Sequence, residues 1–123
     1  MTHSTRFQAL CVKAVAQVEE VSVEQVTAIV EQGGVLIDVR EDHEWQQGYL
    51  LNAAHMGRGI LERDIEKAHP DVTSTLVLYC GGGYRSALAA VSLQTMGYTN
   101  VKSLQGGYKA WVAAGFDINH ETT

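Results

Sequence analysis

Apolar residues recur along the chain with two different periods. From Phe7 to Val18, Leu10, Ala14 and Val18 fall at i, i+4 and i+8, the spacing of one helix face. Glu19 to Val21 reads as a short strand. Ser22 is a good N-cap, and Gln25 three residues on completes a capping box. Val23, Val26, Ile29 and Val30 then form a helical stripe, which Gly33-Gly34 stops. Val35 to Val39 is nearly all apolar, as is Thr75 to Tyr79. Both read as strands buried on two faces. A polar helix is predicted over Asp42–Gln47, ending at Gly48. A further helix runs from Ser86 to Met96 and closes at Gly97. Val101 to Leu104 is a further strand, and Tyr108 to Ala114 a last short helix before Gly115. His69-Pro70-Asp71 holds the single proline and reads as a turn. Met1 to Thr5 and His120 to Thr123 are expected to fray.

Strands alternating with helices imply an α/β domain with a parallel sheet covered on both faces. Ligands of such sheets sit beyond the carboxyl ends of the strands, where Asp38-Val39-Arg40 and Cys80 fall. The 123 residues suit one domain, with a core large enough to need no disulfide or metal. With 46% hydrophobic and 19% charged residues, the composition is ordinary globular, which excludes disorder for the body of the chain. No uncharged apolar run approaches the roughly 18 residues of a membrane span. No secretory leader is expected, because Lys13 interrupts the first apolar patch. A net charge of −5 argues against nucleic acid and anionic membrane as partners. Two cysteines are too few for a disulfide framework, and the five histidines are scattered. The expected setting is a reducing, cytoplasmic one with free thiols.

Candidate chemistry concentrates in Cys80-Gly81-Gly82-Gly83-Tyr84-Arg85-Ser86, at a strand–loop–helix junction. Three glycines let the backbone curl so that successive N–H groups meet at one point. Such a nest binds anions, and the helix that follows adds its positive end. Both effects favour thiolate at Cys80, and Arg85 adds a fixed positive charge. The Ser86 hydroxyl can cap the helix or donate to sulfur. A core cysteine needs no such surroundings, so Cys80 is read as a nucleophile. Cys11 has no comparable context and is read as helix packing. The loop is not a P-loop, because Gly-x-x-x-x-Gly-Lys-Ser/Thr is absent.

These residues resemble the single-domain rhodanese family of sulfurtransferases over about Val21 to Phe116. Leu36-Ile37-Asp38-Val39-Arg40 is similar to the family's first motif. Glu44 to Leu50 resembles its Glu-x-x-x-Gly-His-Ile segment, Cys80 to Ser86 its active-site loop, and Leu104 to Gly107 with Trp111 its closing motif. Tyr49 stands where histidine is usual, and Leu51-Asn52 where Pro-Gly is common. The resemblance implies a rhodanese-like domain over residues 21–118, with residues 1–20 as an N-terminal helical extension.

It also implies a ping-pong transfer. Cys80 takes a sulfane sulfur from a small anionic donor such as thiosulfate, holds it as a persulfide, and passes it to a thiol, cyanide or protein acceptor. Gly81, Gly82, Gly83, Tyr84, Arg85 and Ser86 form the substrate cradle, and Arg85 holds the donor or braces the loop. No organic cofactor or metal is implied. Arg58 is a candidate for the pocket mouth, with a solvated surface position as the alternative. Asp38 and Arg40 are given structural roles, with Arg40 placed to pair with Glu44. Trp45 and Trp111 are expected in the core. The same fold hosts phosphatases and arsenate reductases, whose loop is one residue longer. Here four residues separate Cys80 from Arg85. A persulfide carrier and a non-catalytic interaction module are the remaining alternatives. The intact loop cysteine argues against the module.

Overall fold

A computed structural model describes residues 4–120. Its centre is a five-stranded parallel sheet in the order β1-β6-β5-β2-β4, formed by β1 (Glu19–Val21), β6 (Val101–Leu104), β5 (Leu76–Tyr79), β2 (Val35–Asp38) and β4 (Ala53–His55). The middle strand, β5, alternates between two cores. Leu76 and Leu78 point to the face covered by α4 (Leu61–Ala68) and α5 (Tyr84–Thr95), against Ile65, Ala89, Ala90 and Leu93. Val77 and Tyr79 point to the face covered by α2 (Val23–Glu31) and α6 (Gly107–Ala113), against Val26, Leu104 and Trp111. Burial on both faces explains why this strand reads as an unbroken apolar run.

The capping box forms as predicted. The Gln25 backbone N–H donates to Ser22 Oγ at 3.3 Å, and the Ser22 N–H to Gln25 Oε1 at 2.7 Å. Helix α3 occupies Asp42–Gln47, and α1 runs over Thr5–Gln17. Thr5 is therefore the first helical residue rather than part of a frayed end, because the Gln8 N–H reaches the Ser4 carbonyl at 2.9 Å. The expected fraying at residues 1–3 and 121–123 lies outside the described residues. The turn expected at Pro70 falls at Val72–Thr73, where Asp71 Oδ1 accepts from the Thr73 backbone N–H and hydroxyl. Four elements escaped the sequence pattern: α4, β4 and the antiparallel pair of β3 (Tyr49–Leu50) and β7 (Ile118–Asn119). Two-residue strands carry no period, and α4 is a short helix set mostly with charged residues.

Beneath the carboxyl ends of β2 and β5 lies a buried polar knot. Arg40, 4% exposed, pairs with Asp38 rather than with Glu44. Its Nη2 donates to Asp38 Oδ2 at 2.8 Å and to the Gly48 carbonyl at 2.6 Å. The Tyr79 hydroxyl donates to Asp38 Oδ2 at 2.6 Å and accepts from the Leu50 N–H at 3.1 Å. Asp38 is two residues from Arg40 and bonds its backbone N–H as well, at 2.8 Å, so the near partner wins over the i+4 one. Burial opposes the Arg40 charge, but the hydrogen bond and charge of Asp38 outweigh it and raise its pKa. Trp111 is buried as expected. Trp45 is only half-buried, stacked between Tyr49 and His55 at ring distances of 3.7 and 4.9 Å.

Candidate active site

Cys80 follows the last residue of β5, and the chain then turns through Gly81–Gly83 into α5. Gly83 has φ +111°, a left-handed conformation that glycine adopts without strain, and it caps α5. This turn aims backbone donors at the sulfur. The Gly83 N–H lies 3.1 Å from Sγ and the Ser86 N–H 3.4 Å, both from the first turn or cap of α5. The Ser86 hydroxyl is 3.5 Å from Sγ. Charge on the sulfur is thus met by aligned N–H groups and the positive end of the helix. Behind Ser86, fully buried Ser103 on β6 holds its hydroxyl at 2.8 Å.

The loop is pressed against the start of α6. The Tyr108 N–H donates to the Cys80 carbonyl at 2.7 Å and the Lys109 N–H to the Gly81 carbonyl at 3.1 Å. Gly107 lies so close that a Cβ there would run into the Cys80 carbonyl. Gly107, at the end of the closing motif, is therefore a close-approach site.

Cys80, Gly81, Gly82, Tyr84 and Arg85 line a cavity of about 450 Å³. Glu44 from α3, Lys109 from α6 and Phe7 from α1 complete it. Arg85 is half-buried and donates to Glu44 from both terminal nitrogens, at 2.8 and 3.1 Å. This bond holds the Glu44 carboxyl down at about 2, against the opposing effect of burial. It also raises the Arg85 pKa.

Of the residues singled out in sequence, Cys80, Gly81, Gly82, Tyr84 and Arg85 meet at this cavity. Gly83 and Ser86 contact the sulfur from below. Arg58 is elsewhere. It bonds Glu62 at 2.6 Å and Ser92 at 3.3 Å, beside a separate depression between α1 and α5. The Arg58 N–H is tied to the Val39 carbonyl at 3.0 Å, and this backbone bond fixes the residue away from the loop. Sequence reading missed Phe7, Lys109 and Ser103, and assigned Glu44 to Arg40. The alternation of α6 and β6 gives no sign that Lys109 and Ser103 face the loop, and Phe7 lies on an element far from Cys80 in the chain. Cys11 is fully buried in α1, and burial, with Cys80 nearby, pushes its thiol up. Among the described residues, no cluster of His, Cys, Asp and Glu is arranged to hold a metal ion, and no helix is long and apolar enough to cross a membrane.

A cysteine at the foot of an N–H-lined loop, after the central strand of a parallel sheet, defines an α/β domain of the cysteine-loop class. Residues 22–114 match the rhodanese-like domain, and the chain belongs to that family. It is 36% identical over 90 residues to the thiosulfate sulfurtransferase GlpE of Pseudomonas savastanoi pv. phaseolicola, covering 73% of this chain and 83% of that protein. Among solved structures it is similar to the homodimeric polysulfide-sulfur transferase of Wolinella succinogenes, with TM-score 0.81 and 27% identity over 95% of this chain and 89% of that one. It is also similar to a Rhodopseudomonas palustris protein of unknown function described as a possible tyrosine phosphatase. That match has TM-score 0.79 and 30% identity over 97% and 98% of the two chains.

Proposed function

We propose that this protein is a rhodanese-type sulfurtransferase that moves a sulfane sulfur through a persulfide on Cys80. The observation that carries this reading is the convergence of the Gly83 and Ser86 N–H groups on Sγ within the cavity. The Cys80 thiolate attacks the outer sulfur of thiosulfate. A new S–S bond forms, the old one breaks, and sulfite leaves with the electron pair. The persulfide anion then rests on the N–H groups of the loop. A nucleophilic acceptor such as cyanide or a thiol attacks the outer sulfur and returns the Cys80 thiolate. Arg85 and Lys109 attract the anionic donor. The acceptor is a small thiophile or a protein, and the setting is the reducing cytoplasm. In this reading residues 21–118 are the catalytic module and α1 an extension of it. A loop with four residues between Cys80 and Arg85 favours sulfur over the larger phosphate and arsenate oxyanions.

The test is an intact-mass spectrum after brief incubation with thiosulfate. The expected result is a gain of about 32 Da, one sulfur atom, removed by cyanide and absent in Cys80→Ser. No gain with thiosulfate or any persulfide donor overturns the reading. Cys80-dependent hydrolysis of a phosphate ester in its place would assign a phosphatase.

A further inference from the structure

A second cleft lies on the face of the sheet covered by α2 and α6, and it shares no lining residue with the Cys80 cavity. Its volume is about 290 Å³, at the small end of the roughly 300–1,000 Å³ of clefts that take organic ligands. Buried Val26, Leu36 and Trp111 form its floor, and Leu51 and Phe116, each more than a third exposed, form its rim. Phe116 and Asp117 lie beyond the matched residues 22–114, so chain outside the family domain completes the cleft. That stretch is held in place. Trp111 Nε1 donates to the Asp117 carbonyl at 2.8 Å, the Phe116 ring meets Trp111 at 4.8 Å, and Ile118 pairs with Leu50. Two exposed carboxylates stand at the edge: Glu31, the last residue of α2, and Asp117. Among the described residues neither pairs with a cation, and no cation lines the cleft. Helix α2 also ends here without a basic residue in its last turn, so the negative end of its dipole goes uncompensated.

An apolar floor beside an edge of unanswered negative charge fits one chemistry. We propose that this cleft binds a small organic cation, an ammonium group carried on an apolar body about the size of a phenyl ring. The body fills the space over Val26, Leu36 and Trp111, and the ammonium faces Glu31, Asp117 and the carbonyl end of α2. A purely apolar occupant leaves both carboxylates without a partner, and an anionic one is repelled by them. The Cys80 cavity has the reverse character. Arg85 and Lys109 line it, so it draws anions, whereas the second cleft draws cations. The two sites share α6: Trp111 lies within one turn of Tyr108 and Lys109, whose N–H groups bond the Cys80 and Gly81 carbonyls. Binding at the second cleft is reversible and forms no covalent bond, so the inference stands apart from the sulfurtransferase reading.

The experiment is a titration of the isotope-labelled full chain, followed residue by residue through backbone amide shifts. The probes are 3-phenylpropylamine, its carboxylate counterpart 3-phenylpropionate, and methylammonium, which has the charge without the body. The phenylpropyl amine is expected to move Glu31, Leu51, Trp111 and Phe116 saturably. It should bind there at least about tenfold more tightly than the carboxylate, and at least about tenfold more tightly than methylammonium, which buries no ring. Exposed ion pairs are worth about threefold each. Glu31→Gln and Asp117→Asn should therefore each reduce the preference for amine over carboxylate about threefold, and together remove most of it. Both residues are exposed, and the same spectra show that the fold is kept. No saturable shift at the cleft, shifts at the Cys80 loop in its place, equal binding of amine and carboxylate, equal binding of methylammonium, or a preference untouched by the double substitution each overturns the site.

Discussion

The guanidinium of Arg85 and the carboxylate of Glu44 form a two-pronged pair at the mouth of the Cys80 cavity, at 2.8 and 3.1 Å. The cation nearest the loop is thus already partly neutralised before any donor arrives. The carboxyl of Glu44 titrates at about 2, against an ordinary value of 4.5, and the Arg85 hydrogen bond is the largest cause. A depressed carboxylate stabilises the fold above its unfolded pKa and loses that contribution as pH falls through the folded one. The pair is partly exposed, so solvent screening leaves about 1 kcal/mol. Glu44→Gln is expected to lower stability by that amount at pH 7. Its gap to the unmutated protein should close between pH 4.5 and about 2. Denaturant melts across that window check it, and a gap that does not change with pH refutes the pairing.

Removing the cation has a different outcome. Arg85→Ala leaves Glu44 as an unpaired negative charge at the cavity and is expected to raise KM for thiosulfate about tenfold or more. Adding Glu44→Gln should recover part of that loss, because residues in one ion pair are not additive. Steady-state kinetics on the two single variants and the double variant give the coupling. Strict additivity would count against the pair controlling donor binding.

The hydroxyls of Ser86 and Ser103 lie 2.8 Å apart behind the sulfur. Ser103→Ala removes a support and is expected to cost about 1 kcal/mol. Ser86→Ala removes the hydroxyl beside Sγ and leaves buried Ser103 without its partner. It should cost about 1–3 kcal/mol and slow persulfide formation about tenfold. Single-turnover mass spectrometry and thermal melts read the two effects. Equal slowing in both variants would mean that the hydroxyl pair acts as a unit rather than through Ser86.

Asp38 accepts hydrogen bonds from Arg40 and Tyr79 with no exposed surface. Asp38→Asn leaves the Arg40 charge buried without its counter-ion and should destabilise the fold by about 3–5 kcal/mol. Tyr79→Phe removes only the hydroxyl between Asp38 and the Leu50 N–H, at about 1–3 kcal/mol. Chemical denaturation measures both, and a loss for Asp38→Asn no larger than that for Tyr79→Phe would sink the buried-charge account.

Gly107 has φ +56° and no room for a Cβ beside the Cys80–Gly81 peptide. Gly107→Ala is expected to cost about 1–3 kcal/mol and to displace the loop that holds the sulfur. The rate of persulfide formation should then fall more than stability alone explains. An alanine variant with unchanged stability and rate would show that the contact relaxes freely.

The strands of the sheet centre, the capping box at Ser22 and the cysteine loop were all legible in the chain, because each rests on local physics. A strand buried on both faces must be apolar throughout, as Leu76 to Tyr79 is. An N-cap needs its partner three residues away. A sulfur that carries charge needs glycines and a helix start next to it, and all of these fall within Cys80–Ser86. What the sequence left open depends on which distant residues meet. Arg40 had several acidic residues within four positions, and the choice of Asp38 follows from the buried ends of β2 and β5, which bring Tyr79 and the Gly48 carbonyl to the same point. That choice freed Glu44 for Arg85. Arg58 read like a pocket residue but is held beside Glu62 and Ser92. Phe7 read like one apolar position of an amphipathic helix. Only the packing of α1 on α5 sets its ring against Tyr84 at the cavity, because contacts between elements remote in sequence leave no period in the chain that bears them.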